Sequence, residues 1–134
     1  MNVKNLFTVF AILTLLLGLG WMIIPDKQAT SLGLADGPGL IFMARRYAVL
    51  FLGNAVVLWL ARKSPPSPAL FAIVAGSFIS TGLMALVSVF GCVLRVTNIS
   101  GLIPVVIEVA GAICYGYLLF AKRQQIAGQD SPAK

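Results

Sequence analysis

Histidine is absent from the chain, and acidic side chains are scarce: four, against ten lysines and arginines. Without imidazole there is no histidine ligand for zinc or haem iron and no histidine base near neutral pH. Two cysteines, Cys92 and Cys114, cannot hold a metal alone, so neither a metal site nor a cofactor is expected. The larger shortage is of charge altogether. Only 10% of the residues are charged, where a soluble domain carries about a quarter. The chain has too little polar surface to cover itself in water, which leaves lipid as the solvent around its middle.

What the chain has in quantity is apolar sequence in long runs, with 59% hydrophobic residues and a mean hydropathy of +0.95. Four runs, about 6–24, 40–62, 69–94 and 101–121, are long enough to cross the roughly 30 Å hydrocarbon core as helices. The expected fold is an all-α membrane protein, a single four-transmembrane-helix bundle. Lys4 ahead of the first run resembles the start of a signal peptide. No small-x-small cleavage motif follows it, however, and Trp21 fits an interfacial anchor, so the first run is expected to remain as a helix. Gly, Pro, Asp and Ser between 25 and 39 read as an irregular loop. The prolines of 64–68 end the second helix, and Pro104 fits the opening turn of the fourth. The polar tail, 122–134, is expected to fray.

Lys4, Arg62, Lys63, Lys122 and Arg123 fall on one side of a four-span arrangement. Lys27, Asp26 and Asp36 fall on the other, with Arg45, Arg46 and Arg95 close to or inside the membrane. Excess lysine and arginine marks the cytoplasmic side, so both termini are expected there and the loop 25–39 on the opposite side. The net charge of +6 then reflects topology and lipid headgroups, and no nucleic-acid partner is expected.

A helix advances about 100° per residue, which sorts the polar residues by face. In the second run Arg46, Tyr47, Leu50, Gly53, Asn54 and Val57 share an arc of about 120°, predicting that this side faces the bundle interior. Arg45, about 100° from Arg46, is expected to snorkel to headgroups, and Arg95 joins Arg45 and Trp21 as an interfacial residue. In the third run Ser77, Thr81, Met84, Ser88, Gly91, Cys92 and Arg95 lie close to one line. The fourth presents Pro104, Glu108, Gly111, Ala112, Tyr115 and Leu119, and the first Phe7, Ala11, Thr14, Gly18 and Trp21. Counted from the loop side, Arg46, Ser88 and Glu108 fall at a common depth of about 10 Å, and Asn54, Thr81 and Tyr115 at about 20 Å.

Glu108 is the one acidic residue inside a span. An ionisable group in the membrane marks a functional site by default and needs a partner. Arg46 is the first choice, then Arg45 or Arg95. The candidate ligand-binding set is therefore Arg46, Tyr47, Asn54, Ser88, Glu108 and Tyr115, a small polar pocket with no catalytic residue assigned. A plain ion pair that fixes helix register is the simpler reading of the same residues. Cys92 and Cys114 lie at different depths on different helices and read as small buried hydrophobes. Asn98-Ile99-Ser100 matches a glycosylation tripeptide, a pattern that also arises by chance.

Several residues of the first half carry a family likeness: Gly18, Gly20, Pro25, Leu32-Gly33-Leu34, Ala44-Arg45-Arg46-Tyr47-Ala48 and Gly53. In these the chain resembles small four-helix bacterial membrane proteins of the DoxX-like group, particularly the DUF4345 type. The resemblance implies an inner-membrane protein associated with oxidoreductase or quinone-linked systems, and it transfers no catalytic residue. The expected function is a small accessory subunit or a module for a lipid- or quinone-like ligand, without catalysis of its own. It would work in the lipid bilayer within a membrane protein complex or homo-oligomer. The alternatives are an enzyme on a lipid- or sterol-like substrate with Glu108 moving the proton, and a transporter or channel subunit.

Overall fold

The computed structural model describes residues 2–35 and 37–128, leaving Asp36 and the end of the tail outside. The chain forms α1 (Val3–Ile23), α2 (Pro25–Ser31), α3 (Pro38–Ala61), α4 (Pro68–Val93), a 3-10 turn (Ile99–Gly101), α5 (Leu102–Ala121) and α6 (Arg123–Ala127). No strand occurs among the described residues. Proline opens α2, α3 and α4, where its fixed φ suits the first helical turn and its missing N–H has no intrahelical partner to lose. Asn2 caps α1 through a bond from the Lys4 N–H at 3.1 Å, and the Ser67 hydroxyl caps α4 from the Leu70 N–H at 3.2 Å.

Four helical stretches, α1, α3, α4 and Ile99–Ala121, are long and apolar enough to cross a membrane. Their outer faces present Leu16, Leu60, Leu86 and Ile113, each more than half exposed. So large an apolar exterior suits lipid and not water.

The helices associate as two close pairs, α1 with α3 and α4 with α5. The first pair meets along small residues: Ala11, Thr14 and Gly18 on α1, and Ala44, Ala48 and Ala55 on α3 are all buried. A Cβ at Gly18 would stand 2.8 Å from Leu52 and 3.1 Å from the Ala48 carbonyl oxygen. This is how membrane helices approach when no water is expelled between them: small side chains bring backbones into van der Waals contact.

The pairs join at both ends. At the end carrying Lys4, Arg62, Lys63, Lys122 and Arg123, a core of Leu6, Phe7, Leu58, Val74, Tyr115 and Leu118 draws on all four long helices. Within the polar tail, α6 packs beneath this core instead of fraying. Its Ile126 is buried, and the Ser67 N–H bonds the Ile126 carbonyl at 2.9 Å.

At the opposite end, the segment read as an irregular loop contains α2, because Pro25 starts a helix whose Ala29 has a core to enter. Asn98 then bridges the two halves: its N–H bonds the Leu32 carbonyl at 2.9 Å, and its side-chain amide bonds the Ser31 carbonyl at 3.0 Å. Its side-chain oxygen accepts from the Ser100 N–H at 2.9 Å and starts the 3-10 turn.

Candidate functional site

The polar residues of α4 and α5 meet. On α5, Glu108, Gly111 and Tyr115 lie on one stripe, three to four residues apart, so successive side chains stack along one face. On α4, Ser77, Thr81 and Ser88 are half-buried on the side that packs toward α5. Gly111 sits between Glu108 and Tyr115 and sets the spacing of three helices. A Cβ there would lie 2.7 Å from Phe10 of α1 and 2.9 Å from Thr81 of α4.

Tyr115 is 1% exposed. Its ring is held between Phe10, with centroids 5.0 Å apart at 54°, and Phe7, at 6.2 Å and 53°. Tilted aromatic contacts of this kind contribute about 0.5–1.5 kcal/mol beyond area burial. Ser77 stands near the Tyr115 hydroxyl and Ser88 near the Glu108 carboxyl. Among the described residues the Tyr115 hydroxyl oxygen and Glu108 Oε2 are buried without a hydrogen-bond partner. The large majority of buried side-chain polar atoms in folded proteins are bonded, so two such oxygens on one stripe set this seam apart from the apolar packing around it.

Half of the expected pocket lies elsewhere. Arg46, Tyr47 and Asn54 are all exposed on α3, whose buried residues are Ala44, Ala48, Ala55, Leu58 and Ala61. The bundle-facing side of this helix is thus the alanine side, and the polar arc predicted to face inward faces outward. Close helix approach, and not polarity, selects the inner face of α3. The pair between Arg46 and Glu108 is not formed. The Arg46 guanidinium lies over the Phe42 ring, 5.8 Å from its centroid. Side chains on a helix lean toward its N-terminus, and on α3 this carries the charge back toward the helix start, the snorkelling position. Arg45 is also exposed, and Trp21 is half-buried.

Arg95 ends α4 with φ +55°. Cys92 and Cys114 are both free thiols, and the Cys92 sulfur contacts the Thr97 hydroxyl at 3.5 Å. Among the described residues no cluster of histidine, cysteine or acidic side chains could hold a metal ion. Phe10 is the seam residue that the sequence pattern left out. Its signal is indirect, a bulky ring three residues from Phe7 that needs a glycine opposite, which Gly111 supplies.

No family model, curated protein or solved structure matches the chain. The fold and the seam together define a small helical protein with four apolar, membrane-length helices and a polar line between α4 and α5.

Proposed function

We propose that this protein is a non-catalytic membrane module that binds a lipid-like molecule along the α4–α5 seam. The ligand class is one with an apolar body and polar oxygens or donors, such as a quinone or a lipid headgroup with its chains. The observation that carries this reading is the pair of buried oxygens without a hydrogen-bond partner among the described residues, Glu108 Oε2 and the Tyr115 hydroxyl, on one stripe of α5. A ligand that bonds either group removes a desolvation cost of about 1–3 kcal/mol. Phe7 and Phe10 supply the apolar wall beside Tyr115. Of the residues first grouped as a pocket, Ser88, Glu108 and Tyr115 belong to this site, while Arg46, Tyr47 and Asn54 do not.

The resemblance of the first half to DoxX-like proteins supports a bacterial inner-membrane setting and a quinone-linked or accessory role in a complex. The five cations gathered at the core end support placing both termini in the cytoplasm.

Native mass spectrometry of the protein extracted in mild detergent from its own membranes tests the ligand. A stoichiometric small molecule is expected on the wild type. Glu108→Gln and Tyr115→Phe should each weaken its retention about tenfold, the effect of losing one hydrogen bond of about 1.4 kcal/mol. Tyr115→Phe should fold as well as the wild type, because it removes a buried hydroxyl that has no hydrogen-bond partner among the described residues. A wild type free of small molecules, or equal retention by all three proteins, would overturn the proposal.

A further inference from the structure

The exposed side of α3 carries a second polar feature, which the α4–α5 seam does not use. Asn54 is exposed and has no hydrogen-bond partner among the described residues. It sits seven residues before Ala61 and sixteen after Pro38, about 10 Å and about 24 Å from the two helix ends. A carboxamide on a single-carbon stem does not reach headgroups from that depth, and hydrocarbon offers it no partner.

Asn54 also lies in a pattern. Met43, Tyr47, Leu50, Asn54 and Val57 follow at spacings of four, three, four and three, the heptad seam of a left-handed helix pair. The four neighbours are 44%, 52%, 67% and 47% exposed, so nothing among the described residues covers this seam.

We infer that a second copy of this chain covers it, through a parallel α3–α3 contact centred on Asn54. The seam is chemically complementary to itself. Copies inserted with the same topology are related by a two-fold axis along the membrane normal, which sets each α3 residue beside its own counterpart. A carboxamide has both donor and acceptor, so two Asn54 side chains opposite each other exchange hydrogen bonds and satisfy one another. Apolar residues above and below supply the packing, and a single asparagine in such a seam fixes a parallel, in-register pair. Arg46 lies about 80° round the helix from Asn54, with its guanidinium over Phe42, so the two like charges stay off the contact line. The inference is independent of the ligand reading, since no seam residue belongs to the α4–α5 site.

The test uses the full chain reconstituted in vesicles of phosphatidylcholine and phosphatidylglycerol. Leu50→Cys and Val57→Cys place a thiol on the seam, and Val49→Cys and Val56→Cys place one on the neighbouring exposed side. The wild type, with its native Cys92 and Cys114, sets the background. Oxidation is expected to give a covalent dimer of twice the chain mass for the first two variants and background levels for the other two. Asn54→Leu in the Leu50→Cys chain should weaken dimerisation about tenfold, while Asn54→Gln should largely restore it. Equal cross-linking from both sides, no dimer at any protein-to-lipid ratio, or no response to Asn54→Leu would overturn the inference. So would the same experiment in native membranes if the adduct formed with a chain of different mass.

Discussion

Gly33 and Arg95 occupy the same structural position at the ends of different helices. After α2, the Gly33 N–H bonds the Thr30 carbonyl at 2.9 Å and the Leu34 N–H bonds the Ala29 carbonyl at 3.0 Å. After α4, the Arg95 N–H bonds the Cys92 carbonyl at 3.1 Å and the Val96 N–H bonds the Gly91 carbonyl at 2.9 Å. Both are Schellman closures, which require a left-handed residue: Gly33 has φ +77° and Arg95 φ +55°. Glycine adopts that conformation without steric cost, whereas a Cβ costs about 1 kcal/mol. Arg95→Gly should therefore stabilise the protein by about 0.5 kcal/mol after the entropy glycine adds to the unfolded chain. Gly33→Ala should destabilise it by about 1–2 kcal/mol, because the new Cβ would also stand 3.1 Å from Asn98. Thermal unfolding in one detergent reads both, and the same sign for the two variants would contradict this account. Gly33 was visible in the sequence as a loop glycine. That Arg95 takes a glycine's conformation was not, because residue type gave no sign of it.

At the scale of elements, the inner faces of α1 and α5 were legible, that of α4 only in part, and that of α3 was not. On α1, Phe7, Ala11, Thr14 and Gly18 of the predicted line are buried and Trp21 is half-buried. On α5 Gly111 and Tyr115 are buried, with Glu108 half-buried between the helices. On α4, Ser77, Thr81 and Ser88 of the predicted line are half-buried, whereas Met84 is exposed and the buried residues are Leu70, Val74 and Ala85. In α3 the alanines lie on one side and Arg46, Gly53 and Asn54 on the other. Polarity then points the wrong way, and residue size decides. A matched pair of substitutions tests this. Gly18→Val forces bulk against Leu52 and the Ala48 backbone and should cost about 1–3 kcal/mol. Gly53→Val meets nothing within 4 Å and should change stability by less than about 0.5 kcal/mol. Unfolding in mixed detergent micelles compares the two, and similar losses would mean that α3 presents its other side to α1.

For the whole molecule, the two helix pairs hold together through different chemistry at their two ends. One end uses a hydrophobic core closed by α6, and the other uses hydrogen bonds from Asn98. Asn98 heads the glycosylation-like tripeptide, and the structure gives it a mechanical role, since its side-chain amide is bonded to the Ser31 carbonyl. Topology belongs to this scale as well. With the core end in the cytoplasm, a reporter fused at Lys63 should read inside and one at Gly37 outside, and the reverse result would invert the proposed orientation.

Composition alone determined that the chain has four runs long and apolar enough to cross a membrane. Each such run supplies its own backbone hydrogen bonds as a helix whatever its neighbours do. Which helices pair, and which side of α3 faces inward, only the tertiary structure decided. Those choices depend on how closely two backbones approach, a property of matched surfaces such as Gly18 against Ala48. No single helix carries that information in its own sequence. The separation of Arg46 from Glu108 has the same origin: both residues were visible in the chain at one depth, and the packing of alanines turned them to different sides.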